Sequence, residues 1–490
     1  MVGIASYGAY VPPTRLAFAT ISGRELEQSE SDKRARGEQS ARGERSEPER
    51  SVAWNDEDAV TMGVAAAVEC LRGFDRASVD ALLFASTTYP FREKQGAALV
   101  AKALDLRRDV ATADHAGSLR AGSAALRSAF DAVAAGSARS VLVVASDCRL
   151  AAPGSGLERS FGDGAAAFLV SDTEPIATFE GGFAIADEIV DLWRGERDRF
   201  VHTWEERFVV QEGYTPSLIE AVRGLCARLG ASPGDFSTVA LYAPDERSHA
   251  SVARALRLDP ARVADPLFGR LGNTGAAFAP MLLAAALESA RPGERLLVAG
   301  YGDGAEALAF RTTGHIEKLE PRRGVGWHLA RRRPVRSYDR YLAARSLDAK
   351  EWESGGDPGL SATIHFRERD EDLALVGQRC RHCGAVQFPR QRVCESCFAK
   401  DDFEPMRLSD RTGRVVTYTF DFFFPTPDPP TIVTVTEIDG ARVHLQLVDT
   451  SPKETRIGLP VEPTFRRIHQ GGGRPNYYWK ARPVPGGETK

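Results

Sequence analysis

Apolar residues are arranged along the chain in two ways. In Ala59–Leu71 and Ala97–Leu104 they fall at helical spacing, whereas Asp80-Ala-Leu-Leu-Phe-Ala-Ser86 and Ser140-Val-Leu-Val-Val-Ala-Ser146 are short continuous runs. Short apolar runs bounded by polar residues suit strands covered on both faces. Their alternation with helices predicts a layered α/β fold. Later in the chain the period becomes two: Gly413–Phe420, Thr431–Glu437 and Arg442–Val448 alternate apolar and polar residues between turns, as strands of a small barrel do.

A repeat interrupts the alternation. Phe161-Gly-Asp-Gly-Ala-Ala-Ala-Phe-Leu-Val returns as Tyr301-Gly-Asp-Gly-Ala-Glu-Ala-Leu-Ala-Phe, about 140 residues on and again just after an apolar strand, here Arg295–Gly300. That period is too long for a solenoid and predicts a duplicated half. The Asp80 strand has its own echo in Thr238-Val-Ala-Leu-Tyr-Ala-Pro244. No Lys-Ser/Thr follows either Gly-Asp-Gly, so each is read as a tight turn into a core strand rather than a phosphate loop.

Composition limits the partners. A chain of 490 residues exceeds one hydrophobic core. A net charge of −4 with scattered Lys and Arg gives no field for gripping a nucleic-acid backbone. With no basic-then-apolar leader and no long uncharged apolar run, the expectation is a cytoplasmic protein with neither nucleic acid nor membrane as partner. Residues 28–50 are almost all small, polar or charged and are expected to be a flexible insertion. Arg331–Arg336 is read as a solvated basic face.

Seven cysteines without a secretion signal argue against a disulfide framework. Cys70, Cys148 and Cys226 sit in apolar patterns and are read as small buried hydrophobes. Cys380-Arg-His-Cys383 and Cys394-Glu-Ser-Cys397 are two Cys-x-x-Cys knuckles ten residues apart, a spacing that places four thiolates around one tetrahedral zinc. A redox pair would need only one knuckle, at a helix N-terminus. Because four thiolates leave no open coordination position, the metal is expected to hold the fold rather than act in catalysis.

Taken together, two α/β halves that each end in Gly-Asp-Gly-Ala resemble the thiolase fold. Val2-Gly-Ile-Ala-Ser-Tyr-Gly-Ala-Tyr-Val-Pro12, Trp54-Asn-Asp-Glu-Asp-Ala-Val-Thr-Met62 and Leu271-Gly-Asn-Thr-Gly275 resemble its 3-hydroxy-3-methylglutaryl-CoA (HMG-CoA) synthase branch. The likeness spans about residues 1–315. The cysteine knuckles, Gly384-x-x-x-Phe388-Pro389 and Tyr477-Tyr-Trp479 resemble the DUF35 family, a zinc ribbon joined to an OB-fold that accompanies thiolase-type enzymes. The expected organisation is a thiolase-like N-terminal half (1–175), a second half (176–315), a linker and helical segment (316–375), a zinc ribbon (376–402) and an OB-fold β-barrel (403–490). The resemblance implies a CoA thioester as substrate and a homodimer, with further thiolase or hydratase chains open as partners.

The family's catalytic pattern is broken here. Where simple members carry the nucleophilic cysteine, this chain has Gly117-Ser-Leu-Arg-Ala-Gly-Ser-Ala-Ala125, which puts Leu119, or Ser118 with a one-residue slip, at that position. Thr87 stands where the resemblance expects the acid/base glutamate and Tyr242 where it expects the histidine, while the asparagine is kept as Asn273. Leucine cannot attack a thioester, and a serine needs a neighbouring base; His115, three residues before Ser118, is the nearest one in sequence. The chemistry expected is therefore an aldol or retro-aldol step on a β-hydroxyacyl-CoA, with Tyr242 or Tyr301 as acid/base group, as in the similar cysteine-less steroid side-chain aldolases. Two alternatives stay open: an HMG-CoA synthase-like acyl transfer through Ser118, and a non-catalytic CoA-thioester binding or scaffold subunit.

Overall fold

The computed structural model describes residues 1–23, 47–348 and 361–484. They form two units. One comprises Met1–Trp54, Asp58–Ala101 and Leu106–Tyr341, the other Asn55–Glu57, Lys102–Asp105 and Leu342–Lys490.

The first unit is built on a nine-stranded sheet. Its strands run, edge to edge, Thr238–Leu241, Arg295–Tyr301, Gly304–Thr312, Ala177–Ala186, Gly3–Tyr10, Gly164–Ser171, Ser140–Asp147, Ala81–Ala85 and Ala111–His115. The sequence repeat is a structural one. Ser140–Asp147 pairs parallel with Ala81–Ala85 and antiparallel with Gly164–Ser171; Arg295–Tyr301 pairs parallel with Thr238–Leu241 and antiparallel with Gly304–Thr312. The halves join where Gly3 and Ile4 pair with Thr178 and Ala177. Both Gly-Asp-Gly segments lead directly into core strands, Gly164–Ser171 and Gly304–Thr312.

Continuous apolar runs became strands because both faces are covered. Along Ser140–Asp147 every residue is buried. Ala145 meets Gly122 of helix Ala121–Ala134, whereas Val144 and Ser146 meet Gly63 of helix Ala59–Cys70. Alternate side chains thus face opposite helical layers. Two helices carry candidate site residues at their N-terminal approaches: Ala121–Ala134 begins just after Ser118, and Phe278–Ser289 begins just after Asn273.

Two expectations need correction. Most of 28–50 lies outside the described residues, but its end is not a flexible insertion: Glu49–Ser51 is a buried strand pairing with Thr14–Ala17. Its charges are accommodated by pairing, with Glu49 lying 3.6 Å from Arg15 and 2.5 Å from Arg332. The basic stretch is for the same reason not wholly a solvated face. Of the solitary cysteines, Cys70 and Cys226 are buried and Cys148 is half-buried.

In the second unit, Val376–Cys380 is flanked by Val386–Gln387 and Phe403–Arg407 in a three-stranded sheet. Five further strands, Gly413–Asp421, Thr431–Ile438, Ala441–Leu447, Pro460–Gly471 and Arg474–Pro483, close into a barrel. Their two-residue period is the inside–outside alternation of that barrel: in Thr431–Ile438 every second residue, from Ile432 to Ile438, is buried. No described helix is long and apolar enough to cross a membrane.

Candidate active site

The four knuckle cysteines converge in the second unit, with all four Sγ atoms within 4.8 Å of one another. Cys380 and Cys397 are 3.7 Å apart and Cys383 and Cys394 3.6 Å. A tetrahedron with zinc–sulfur bonds of about 2.3 Å has edges of about 3.8 Å, so the donors fit zinc in both chemistry and spacing. The set is complete without His382.

The first unit holds a cavity of about 590 Å³. Its wall draws on the loop after Ala81–Ala85 (Ser86–Tyr89), the loop before helix Ala121–Ala134 (Ala116–Leu119), Arg149, Asp191–Arg194, and Gly302 with Asp303. Ser118 and Leu119, the two candidates for the nucleophile position, both line it. The Ser118 hydroxyl donates to the Gly302 carbonyl at 3.1 Å. Among the described residues no side-chain base is hydrogen-bonded to it. His115 also lines the cavity, and burial holds its imidazole below the ordinary histidine range against the opposing pull of Asp114.

Thr87 is committed elsewhere. Its hydroxyl donates to Asp147 at 2.9 Å, and the same carboxylate accepts from Ser86 Oγ, Thr88 Oγ1 and the backbone N–H groups of Thr87, Thr88 and Ala276. Asp147, at the end of its strand, therefore organises the loops on either side. With this many donors the carboxylate is saturated, and its role is architectural.

Asn273 is buried and fully engaged. Its Nδ2 donates to the Ala243 carbonyl at 3.1 Å, and its Oδ1 accepts from Arg149 Nη2 at 2.7 Å and from Gly275 N at 2.9 Å. Tyr242 lies against both Asn273 and Arg149.

Tyr242 and Tyr301, expected to point into the cavity, stand behind its wall at 2% and 3% exposure. With Tyr214 they form an aromatic cluster whose ring centroids are 5.5 to 6.3 Å apart, and the burial of three rings against one another holds them there. Burial raises the Tyr242 phenol above the usual range, opposed by Arg149. Burial, reinforced by the Asp191 carboxylate, raises Tyr301 as well. Both phenols keep their protons at neutral pH. Among the described residues the Tyr301 hydroxyl has no well-formed hydrogen bond, but it faces Asp191. Burial raises the Asp191 carboxyl in turn, while contacts with Leu192 N and the Tyr301 hydroxyl counter that shift.

Sequence reasoning missed Arg149 and Asp191. For Arg149 there was a signal: Asp147-Cys-Arg149 puts two charges at the carboxyl end of a buried strand, where ligands of α/β sheets bind. Asp191 lies in an irregular segment with no pattern to betray it.

Known proteins share both parts of this architecture. A family described as "ChsH2, rubredoxin-like zinc ribbon domain" matches residues 367–404, and one described as "3-Oxoacyl-[acyl-carrier-protein (ACP)] synthase III C terminal" matches 226–311. The hydroxymethylglutaryl-CoA synthase of Pyrococcus furiosus is 30% identical over 352 residues, covering 70% of this chain and 96% of that protein. That of Aeropyrum pernix is 35% identical over 280 residues, covering 56% and 77%. A solved HMG-CoA synthase complexed with CoA superposes with a TM-score of 0.60 at 20% identity, over 74% of this chain and 94% of that one. The 3-oxoacyl-(acyl carrier protein) synthase III of Pseudomonas aeruginosa gives 0.54 at 25% identity, over 64% and 98%.

Proposed function

The chain belongs to the hydroxymethylglutaryl-CoA synthase family of the thiolase superfamily, and from that premise we propose that it makes or breaks a carbon–carbon bond in an acyl-CoA by an aldol or retro-aldol step without a covalent acyl-enzyme. One observation carries the reading: the cavity has Leu119 and a serine without a base where acyl transfer needs a nucleophile, yet it keeps a carboxyl group, Asp191, backed by a phenol.

In the cleavage direction Asp191 takes the proton of a tertiary β-hydroxyl, the Cα–Cβ bond breaks, and a ketone leaves. The electron pair passes to the thioester as an enolate, which is protonated at the α-carbon to give a shorter acyl-CoA. A carboxyl raised above its ordinary range suits a base working near neutral pH. Tyr301, kept protonated, acts as the partner that holds and tunes Asp191, and Tyr242 with Asn273 braces the wall behind Arg149. Arg92, Lys94 and Arg194 give the cavity a basic rim for the CoA phosphates. The zinc ribbon has a structural role, and the protein acts as a dimer.

The test is cleavage of β-hydroxyacyl-CoA thioesters bearing a tertiary hydroxyl, with intact-mass measurement after incubation with acetyl-CoA. Expected are a ketone, a shorter acyl-CoA and no added acetyl group. A stoichiometric adduct on Ser118 would move the protein to acyl transfer, and tight thioester binding without turnover would make it a binding subunit.

A further inference from the structure

One buried cation in the cavity wall takes no part in that proton transfer. Arg149 is 4% exposed and lines the cavity. Among the described residues only its Nη2 has an acceptor, on Asn273; Nε and Nη1 have none. Buried polar groups are nearly always satisfied, and a buried donor without a partner is destabilising. The fold nevertheless holds the group in place. The Phe161 ring lies 4.0 Å beneath the guanidinium, and Gly275, at φ +61°, makes room for it: a Cβ there would stand 3.0 Å from Nε and 2.4 Å from Asp147 Oδ2.

The surrounding charges indicate what would complete these donors. Tyr242, Asp147, Asp163 and Asp191 all act on the guanidinium, Tyr242 foremost. A permanently charged carboxylate would be one more anion in an acidic neighbourhood. Asp147 is saturated by its six donors, and Asp163 Oδ2 accepts from Ala53 N at 2.7 Å. What Nε and Nη1 lack is an acceptor that adds no further net charge. A thioester carbonyl oxygen brings lone pairs without net charge and gains negative charge only as the reaction proceeds. Fixed donors that meet charge as it develops are what stabilise an enolate.

We infer that Arg149 is the oxyanion donor of this site, its free N–H groups holding the thioester carbonyl oxygen of the bound acyl-CoA as that oxygen becomes an enolate. The inference rests on the aldol reading for its place in a reaction, but it can be measured without carbon–carbon cleavage. Protonation of the enolate ends the retro-aldol step; its reverse removes an α-proton from the product acyl-CoA, sends the electron pair to the carbonyl oxygen, and returns a solvent deuteron to the α-carbon.

The experiment follows deuterium entry into acetyl-CoA in D₂O by mass spectrometry for the full chain, Arg149→Gln and Arg149→Lys. In parallel, the infrared carbonyl band of bound ¹³C-labelled acetyl-CoA is recorded. The parent should exchange and shift the band to lower frequency. R149Q should exchange on the order of 10²–10³-fold more slowly with the band near its free position, and R149K should fall between. Equal exchange in parent and R149Q overturns the inference, as does a parent that binds the thioester with an unshifted band. That second readout needs no variant, so a misfolded R149Q does not remove the test. Cleavage of β-hydroxyacyl-CoA with an unshifted band removes Arg149 and leaves the aldol reading standing. Arg149-dependent exchange without cleavage does the reverse.

Discussion

The two Gly-Asp-Gly turns of the first unit begin from nearly the same sequence and end in different work. In Phe161–Gly164, Gly162 N donates to the Asn273 carbonyl at 3.1 Å, and a Cβ on Gly162 would lie 2.0 Å from Leu271 O. In Tyr301–Gly304, the Gly302 carbonyl accepts from Ser118, and a Cβ on Gly302 would lie 2.9 Å from Leu119 N. Each half therefore presses its turn against the loop of the other. The residues around each turn then diverge. Asp163 is buried, accepting from Ala53 N and, through its carbonyl, from Ser51 Oγ at 2.7 Å, while Phe161 serves as the platform for Arg149. Asp303 is exposed at φ 49° on the cavity wall, and Tyr301 faces Asp191. Duplication supplied one scaffold twice, and the cavity arises because its two copies were not filled alike.

The contrast concerns the first unit alone, and the largest expected effect tests that boundary. Stripping the metal with a chelator, or Cys394→Ser, removes a site whose metal binding is worth about 10–16 kcal/mol in comparable small domains. The region from Val376 to Arg407 should become protease-sensitive while both turns of the first unit stay protected. Equal loss of protection in both units would show that the contrast depends on the ribbon. Metal analysis should give one zinc per chain.

Within the first unit, Asp191→Asn should lower the cleavage rate on the order of 10²–10⁴-fold. Its stability should move the other way. Because burial raises the folded-state pKa of Asp191, the ionised carboxylate opposes folding, so stability is full at low pH and is lost as pH rises through that pKa. The Asn variant should consequently have the higher Tm at neutral pH, a gain that vanishes below the ordinary carboxylate range; thermal melts across pH check this.

Tyr301→Phe sharpens the contrast between the turns by making the second resemble the first. Removing the hydroxyl that faces Asp191 takes away a tuning contact and not the base itself, so the rate should fall on the order of 10-fold, less than for Asp191→Asn. The acid limb of the pH–rate profile should move to higher pH, because the phenol that lowers the Asp191 pKa is gone. An unmoved limb would leave Tyr301 as packing only.

The smallest effects compare the two turn aspartates. Asp163→Asn disturbs a buried acceptor and should cost about 1–3 kcal/mol, whereas Asp303→Asn, on the surface, should stay within about 0.5 kcal/mol. Denaturant melts of both variants measure the difference, and equal losses would mean that the turns are less specialised than their surroundings suggest.

How far each feature can be read from the chain depends on how local it is. The strand Ser140–Asp147 was legible because an unbroken apolar run leaves few options except burial on both faces, and the repeat was legible because a tight turn needs its glycines. Tyr242 was singled out by its match to the family's histidine position and Tyr301 by the loop of the second repeat, but not their place behind the wall, since sequence does not say which side of a ring faces a void. Glu49–Ser51 was misread because its charges look solvated until Arg15 and Arg332 come from elsewhere in the chain to meet them.

The sequence by itself determined the α/β alternation, the duplication and the metal cluster, whose four thiolates all come from the stretch between Cys380 and Cys397. In each case the information lies within one element or one short loop, where period and spacing already imply geometry. Only the tertiary structure decided that Arg149 would be buried with free donors, that Asp191 would meet Tyr301, and that Ser118 would spend its hydroxyl on Gly302. Those relations join residues separated by scores of positions. A cavity is set by what the packed halves leave empty, and no local pattern in the chain records that.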